Sequence, residues 1–161
     1  MRAVIVVLLL AGCAHDPYVA AYQTVTGARL ATTAAVVGVG QYDHPHQMAL
    51  ADQAKATCHA QPQADAAGLI SCQQAEGGKL LDQWDATYKK IKIGRDALAT
   101  TFDTAEIGIA AAQAAQAGNL ALIPLLVPVK QALRDLATTL NDAGVPPGYA
   151  AALISIAGGA Q

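Results

Sequence analysis

The sequence predicts an all-α protein, a small and elongated helical bundle built on a long antiparallel helical hairpin. Three observations carry that expectation. Alanine supplies much of the 53% apolar fraction and aromatics only 4%, and a chain rich in alanine with few β-branched runs favours helix over sheet. Two long stretches repeat apolar residues in alternating steps of three and four, the period of one helical face. A break at Gly118-Asn119 separates them, short enough to fold one seam back on the other. The 161 residues suit one domain, expected over residues 17–161, with a core thinned by the alanine content.

The chain opens on Arg2 and an uninterrupted apolar run, Ala3 to Ala11. That is the length of a signal-peptide core and too short to span a bilayer as a helix. A buried first strand would suit Val4-Ile5-Val6-Val7, yet no partner strand is evident downstream. The run ends in Leu10-Ala11-Gly12-Cys13, which resembles the lipobox of bacterial lipoproteins. The resemblance covers only the leader. It implies removal of residues 1–12, diacylglycerol on the Cys13 sulfur and often acylation of the new amine, leaving 13–16 as a short lipidated tether. Several acyl chains anchor firmly where one holds only marginally. Ala14 follows the cysteine where enterobacterial lipoproteins kept at the inner membrane resemble one another in having aspartate, which leans towards the outer membrane, facing the periplasm.

Asp16-Pro17 then reads as an N-cap followed by proline in the first turn. A helix is expected from there to about Val37, with Tyr18, Tyr22, Val25, Thr32 and Val36 on one stripe, Arg29 its polar exception, and Gly38 and Gly40 as its end. A second, short helix is expected from about Pro45 to Thr57. Between Cys58 and Cys72 lies HAQPQADAAGLIS, a loop composition. With Cys13 given to lipid, these two cysteines in an oxidising compartment read as a disulfide. Closing a loop of about 15 residues stabilises a fold by roughly 3 kcal/mol on the chain-entropy model.

The strongest seam follows. Leu81, Trp84, Tyr88, Ile91, Arg95, Leu98, Phe102, Ala105, Ile109, Ala112 and Gln116 lie on it, predicting one helix from about Lys79 to Ala117. Gly94 and Gly108 sit off the seam and suggest close helix approach or a mild bend. Arg95, on the seam, is expected to pair with Asp135 or Asp103; Asp85 and Lys89 mark an exposed face. Beyond the break, Leu122, Leu126, Val129, Leu133, Leu136 and Leu140 form the second seam. Its regular helix is expected from about Pro128 to Asp142, with NLALIPLLV as an irregular approach that packs on the core or touches a membrane. Asp142 to Gly148 reads as a stop and restart, and a last helix as about Pro147 to Ala157.

No motif fixes a reaction. Nucleophile elbow, phosphate loop and zinc-helix signatures are missing. Glu76 and Glu106 are too far apart along the long helix to work together, and Asp82 and Asp85 suit a solvated face. Net charge is -2 and there is no basic cluster of the kind that neutralises phosphates, so a nucleic-acid partner is not expected.

The expected role is therefore a non-catalytic, membrane-anchored envelope lipoprotein whose bundle meets an envelope protein or the cell wall. Alternatives are a periplasmic metal-binding factor using His44, His46 and His59, with Cys58 near them, or a phage spanin-like lysis lipoprotein. The His44-Pro45-His46 spacing matches no zinc template. Heptad seams also suit a homodimeric coiled coil.

Overall fold

A computed structural model describes residues 16–62 and 65–159. The leader, the lipobox and Cys13 lie outside the described residues. Four α-helices account for almost all of the rest, and no strand occurs among the described residues. Helix α1 runs Pro17–His59, α2 Ala66–Ala114, α3 Ile123–Asp142 and α4 Pro147–Gly159, with a 3-10 turn at Asn119–Ala121.

Helix α1 begins as the sequence indicates. Asp16 is extended and its carboxylate accepts the Tyr18 N–H at 2.8 Å, with Pro17 in the first turn. It does not stop at Gly38. The helix continues through Gly38, Gly40 and Pro45 to His59, so the two expected helices are one. Packing overrides the local breakers here: Val39 is fully buried and Tyr42 packs on the core. Proline at 45 removes the hydrogen bond to the Gln41 carbonyl and crowds that carbonyl with its ring, and the helix continues past it. At 1.5 Å per residue α1 is about 65 Å long.

The loop expected between the cysteines is also shorter than its composition suggests. Asp65 caps α2 by accepting the Gly68 N–H at 2.8 Å, and helix starts at Ala66, well before Lys79. Cys58 and Cys72 are joined, with their Cα atoms 5.9 Å apart. The disulfide thus clips two helices side by side near their turn. α1 and α2 form the longest contact in the molecule. Their antiparallel register is marked by Tyr18 against Ala117, Asp43 against Trp84, and Cys58 against Cys72.

The first heptad seam is realised: Trp84, Ile91, Leu98, Phe102, Ala105 and Ile109 are the buried residues of α2. So is the second, with Val129, Leu133, Leu136 and Leu140 buried in α3. α3 starts at Ile123 rather than Pro128, with Pro124 in its first turn and Pro128 accommodated within it. The α2–α3 pair is the hairpin the two seams foretell. Gly94 faces Leu136 and Gly108 faces Leu125, so both off-seam glycines mark close approach. The longer α1–α2 hairpin differs from the sequence expectation, which divides α1 into two pieces.

The two left-handed residues among those described both end helices. Gln116 (φ 51°) lets the Ala117 N–H reach back to the Ala112 carbonyl, and Gly144 (φ 68°) does the same for Val145 and Leu140. This six-to-one closure satisfies carbonyls that a helix end leaves unpaired. α4 returns along α1, with Tyr149 seated on Gly38 and the Tyr42 hydroxyl donating to the Gly144 carbonyl.

One contiguous core results, from Ala21 and Val25 to Leu140 and Leu153. Ala54 and Cys58 are buried but lie outside that core. The four-helix packing therefore ends near Tyr42, Trp84 and Ala143. Beyond it α1 and α2 continue as a two-helix extension closed by the disulfide. The span from His46 to His59 alone is about 20 Å of helix.

Candidate functional site

Where the bundle passes into the extension, four aromatic rings gather. Tyr42 and His46 are one turn apart on α1, and Trp84 and Tyr88 one turn apart on α2, so each pair shares a face. The His46 ring lies 4.3 Å from Trp84 and 5.0 Å from Tyr42, centroid to centroid, and Tyr42 meets Trp84 edge-on at 6.0 Å. The Tyr42 hydroxyl and His46 Nδ1 are hydrogen-bonded at 2.9 Å. Trp84 donates its indole N–H to Asp43 Oδ1 at 2.5 Å, and Gln47 donates to the same oxygen at 2.9 Å. A cavity of about 170 Å³ opens beside His46, Leu50, Leu80 and Trp84. One imidazole nitrogen is thus engaged and the ring sandwiched, which suits a packing role.

The three histidines of the metal reading do not converge. His44 and His46, two residues apart on one helix, point to roughly opposite sides, and His44 is exposed. His59 stands in the last turn of α1, about 20 Å further along. Cys58 is committed to its disulfide. Among the described residues no three of His, Cys, Asp or Glu come together in a way that could hold a metal ion. The metal reading needs a break in this stretch; on the continuous helix the spacing spreads the ligands.

A second cavity, of about 360 Å³, lies between α1 and α2, lined among others by Arg29, Thr32, Val36, Arg95 and Phe102. Arg29 bridges Asp103 at 2.9 Å and Glu106 at 3.1 Å and lies 5.4 Å above the Phe102 ring. Its guanidinium pKa is raised, chiefly by the hydrogen bond it donates to Asp103, against an opposing effect of burial and with help from Glu106. Arg95 pairs with neither Asp135 nor Asp103. It is exposed and held by the adjacent Asp96 at 2.6 Å, while Asp103 is occupied by Arg29 and Asp135 accepts from Gln131. A guanidinium at the rim keeps its hydration, which burial on the seam would remove. The signal for the cluster that did form was Arg29 itself, the one charge on the first stripe.

These groups can bind and brace; they do not form a nucleophile with its base. Glu76 pairs with Lys79 and Glu106 with Arg29, and Asp82 and Asp85 are exposed. Two further surface features lie at the ends. The tip carries the cystine, with exposed Met48, Ile70 and Leu81 along the extension. The other end carries the start of α1 and the 119–121 turn. Among the described residues no helix is long and apolar enough to cross a membrane. Comparison with protein-family models, with curated proteins and with solved structures finds no match for this chain.

Proposed function

We propose that this is a bacterial envelope lipoprotein, anchored by lipid on Cys13, that holds a helical tip away from the membrane and acts there by contact with an envelope protein or the cell wall. The observation that carries the reading is polarity of the molecule. The chain enters α1 at Asp16, at one end, and the disulfide-clipped turn stands at the other, about 65 Å away. The lipobox-like tetrad supplies the anchor in this reading, and the cystine is at home in the oxidising periplasm. The outer membrane is the expected address.

Photocrosslinking from two positions in intact envelopes tests it. A crosslinking residue at Ile70, on the tip, is expected to capture one discrete partner, and one at Thr138, on the bundle flank, is not. Capture of lipid alone from Ile70 would sink the reading, and so would a native protein whose mass shows an uncleaved leader and a bare Cys13 thiol.

A further inference from the structure

The end of the molecule where α1 begins is almost free of charge. No Asp, Glu, Lys, Arg or His occurs from Pro17 to Ala28, nor from Ile107 to Val129. Antiparallel packing places these stretches side by side: the Tyr18 hydroxyl donates to the Ala117 carbonyl, and Gly108 faces Leu125. Charge begins at one common level in all three helices. Arg29 of α1 meets Asp103 and Glu106 of α2 there, and the register set by Gly94–Leu136 and Gly108–Leu125 brings Lys130, the first charge of α3, to the same height. Among the described residues the one charged group beyond that level is Asp16, whose carboxylate caps α1.

Large apolar side chains are exposed on this end. Leu120 is 81% exposed and Ile107 71%, and Val19, Ile123 and Val127 are exposed too. Exposed apolar residues elsewhere, such as Ile93 and Leu81, have charged neighbours in sequence; Val19, Leu120, Ile123 and Val127 have none adjacent, and Ile107 follows Glu106 at the level where charge begins.

We infer that this end is a second membrane contact: Val19, Leu120 and Ile123 sink into the interfacial layer of a phospholipid bilayer, with Ile107 and Val127 at headgroup depth. The inference rests on the Cys13 anchor proposed above. Asp16 is three residue steps from Cys13, a reach of about 10 Å at most, so acyl chains on that sulfur hold this end face at the bilayer. Leu120 to Val127 spans about 10 Å of chain rise, which matches the roughly 5–10 Å that interfacial elements bury. An end whose one ionised group among the described residues is the Asp16 cap enters that layer with little charge to desolvate. It also has nothing to attract anionic lipid. Tyr18 and Tyr22, half-buried beside it, have the apolar body and polar tip that favour such a boundary.

The test uses the lipidated protein from envelopes, reconstituted into phosphatidylcholine vesicles with brominated acyl chains. Leu120→Trp and Ile70→Trp each add an indole at an exposed position, and Trp84, buried far from the entry end, is the common background. Loss of the introduced emission for Leu120→Trp and none for Ile70→Trp is the expected result, unchanged when phosphatidylglycerol is added. Equal quenching at the two positions on vesicle-bound protein overturns the second contact and leaves the anchor standing. So does an end covered by a second copy, seen as a dimer that Leu120→Asp dissociates. A bare Cys13 in the mass spectrum overturns the anchor itself.

Discussion

The Tyr149 ring occupies the space where a side chain at Gly38 would begin: a Cβ built there would stand 2.0 Å from Cε1 and 2.4 Å from Cζ. The glycine is thus the seat of α4 on α1. Gly38→Ala is expected to destabilise the fold by about 1–3 kcal/mol through overpacking, despite the roughly 1 kcal/mol that alanine gains in helix propensity. Gly40, two residues on, has nothing within 4 Å. Gly40→Ala is expected to stabilise by about 0.5–1 kcal/mol. Urea unfolding of the two variants checks the opposite signs, and Tyr149→Ala should relieve the first.

Gln116 holds a left-handed conformation that the neighbouring glycine, Gly118, does not. Gln116→Gly is expected to raise stability by about 0.5–1 kcal/mol, since glycine adopts this region without the Cβ penalty. Gly144→Ala, at the equivalent closure of α3, should lower it by about 1 kcal/mol. Thermal midpoints moving in the same direction for both would contradict the shared geometry.

Removing the cystine should act locally. Cys58 and Ala54 lie outside the contiguous core, so Cys58→Ser with Cys72→Ser is expected to loosen the extension first. The chain-entropy figure of roughly 3 kcal/mol should appear as faster hydrogen exchange and proteolysis around 50–75, with protection at Leu98, Leu133 and Leu153 kept. Uniform loss of protection would show that the tip and bundle unfold together.

Phe102 is buried on α2 beneath Arg29 of α1. Phe102→Ala should cost about 3–5 kcal/mol. Arg29→Met should cost no more than about 1 kcal/mol, because the ion pairs are half-exposed. A raised arginine pKa contributes stability that is fully present below the ordinary arginine value and lost only as pH rises through the folded one. Arg29 and Arg29→Met proteins should therefore show no difference in pH dependence attributable to the guanidinium between about pH 5 and 9.

Helix faces were legible where large residues kept the period, and illegible where small ones carried the contact. Every buried residue of α2 is a seam residue, from Trp84 to Ile109. α1 instead buries Ala21, Ala28, Gly38 and Ala54, and its glycines and Pro45 carry the same letters as a helix end. What told them apart was Tyr149, more than a hundred residues away. The start of α2 was legible in principle, since Asp65 caps it three residues before Gly68, but the proline and glycine nearby read as loop. Histidine geometry went astray for the same reason, because a ligand set drawn across a supposed break cannot survive on a continuous helix. The Arg29 cluster needed the register of α1 against α2, which only Tyr18, Trp84 and the cystine fix.

Pro45 gives α1 a mechanical character as well. Between the entry end and the tip the covalent path is that one helix, and the single rung it lacks falls where four-helix packing gives way to two. Tension applied at the tip would stretch the spine at this point before it reached the packed half. The cystine beyond it would keep the companion helix in step, so the outer arm would sway and recover as one piece.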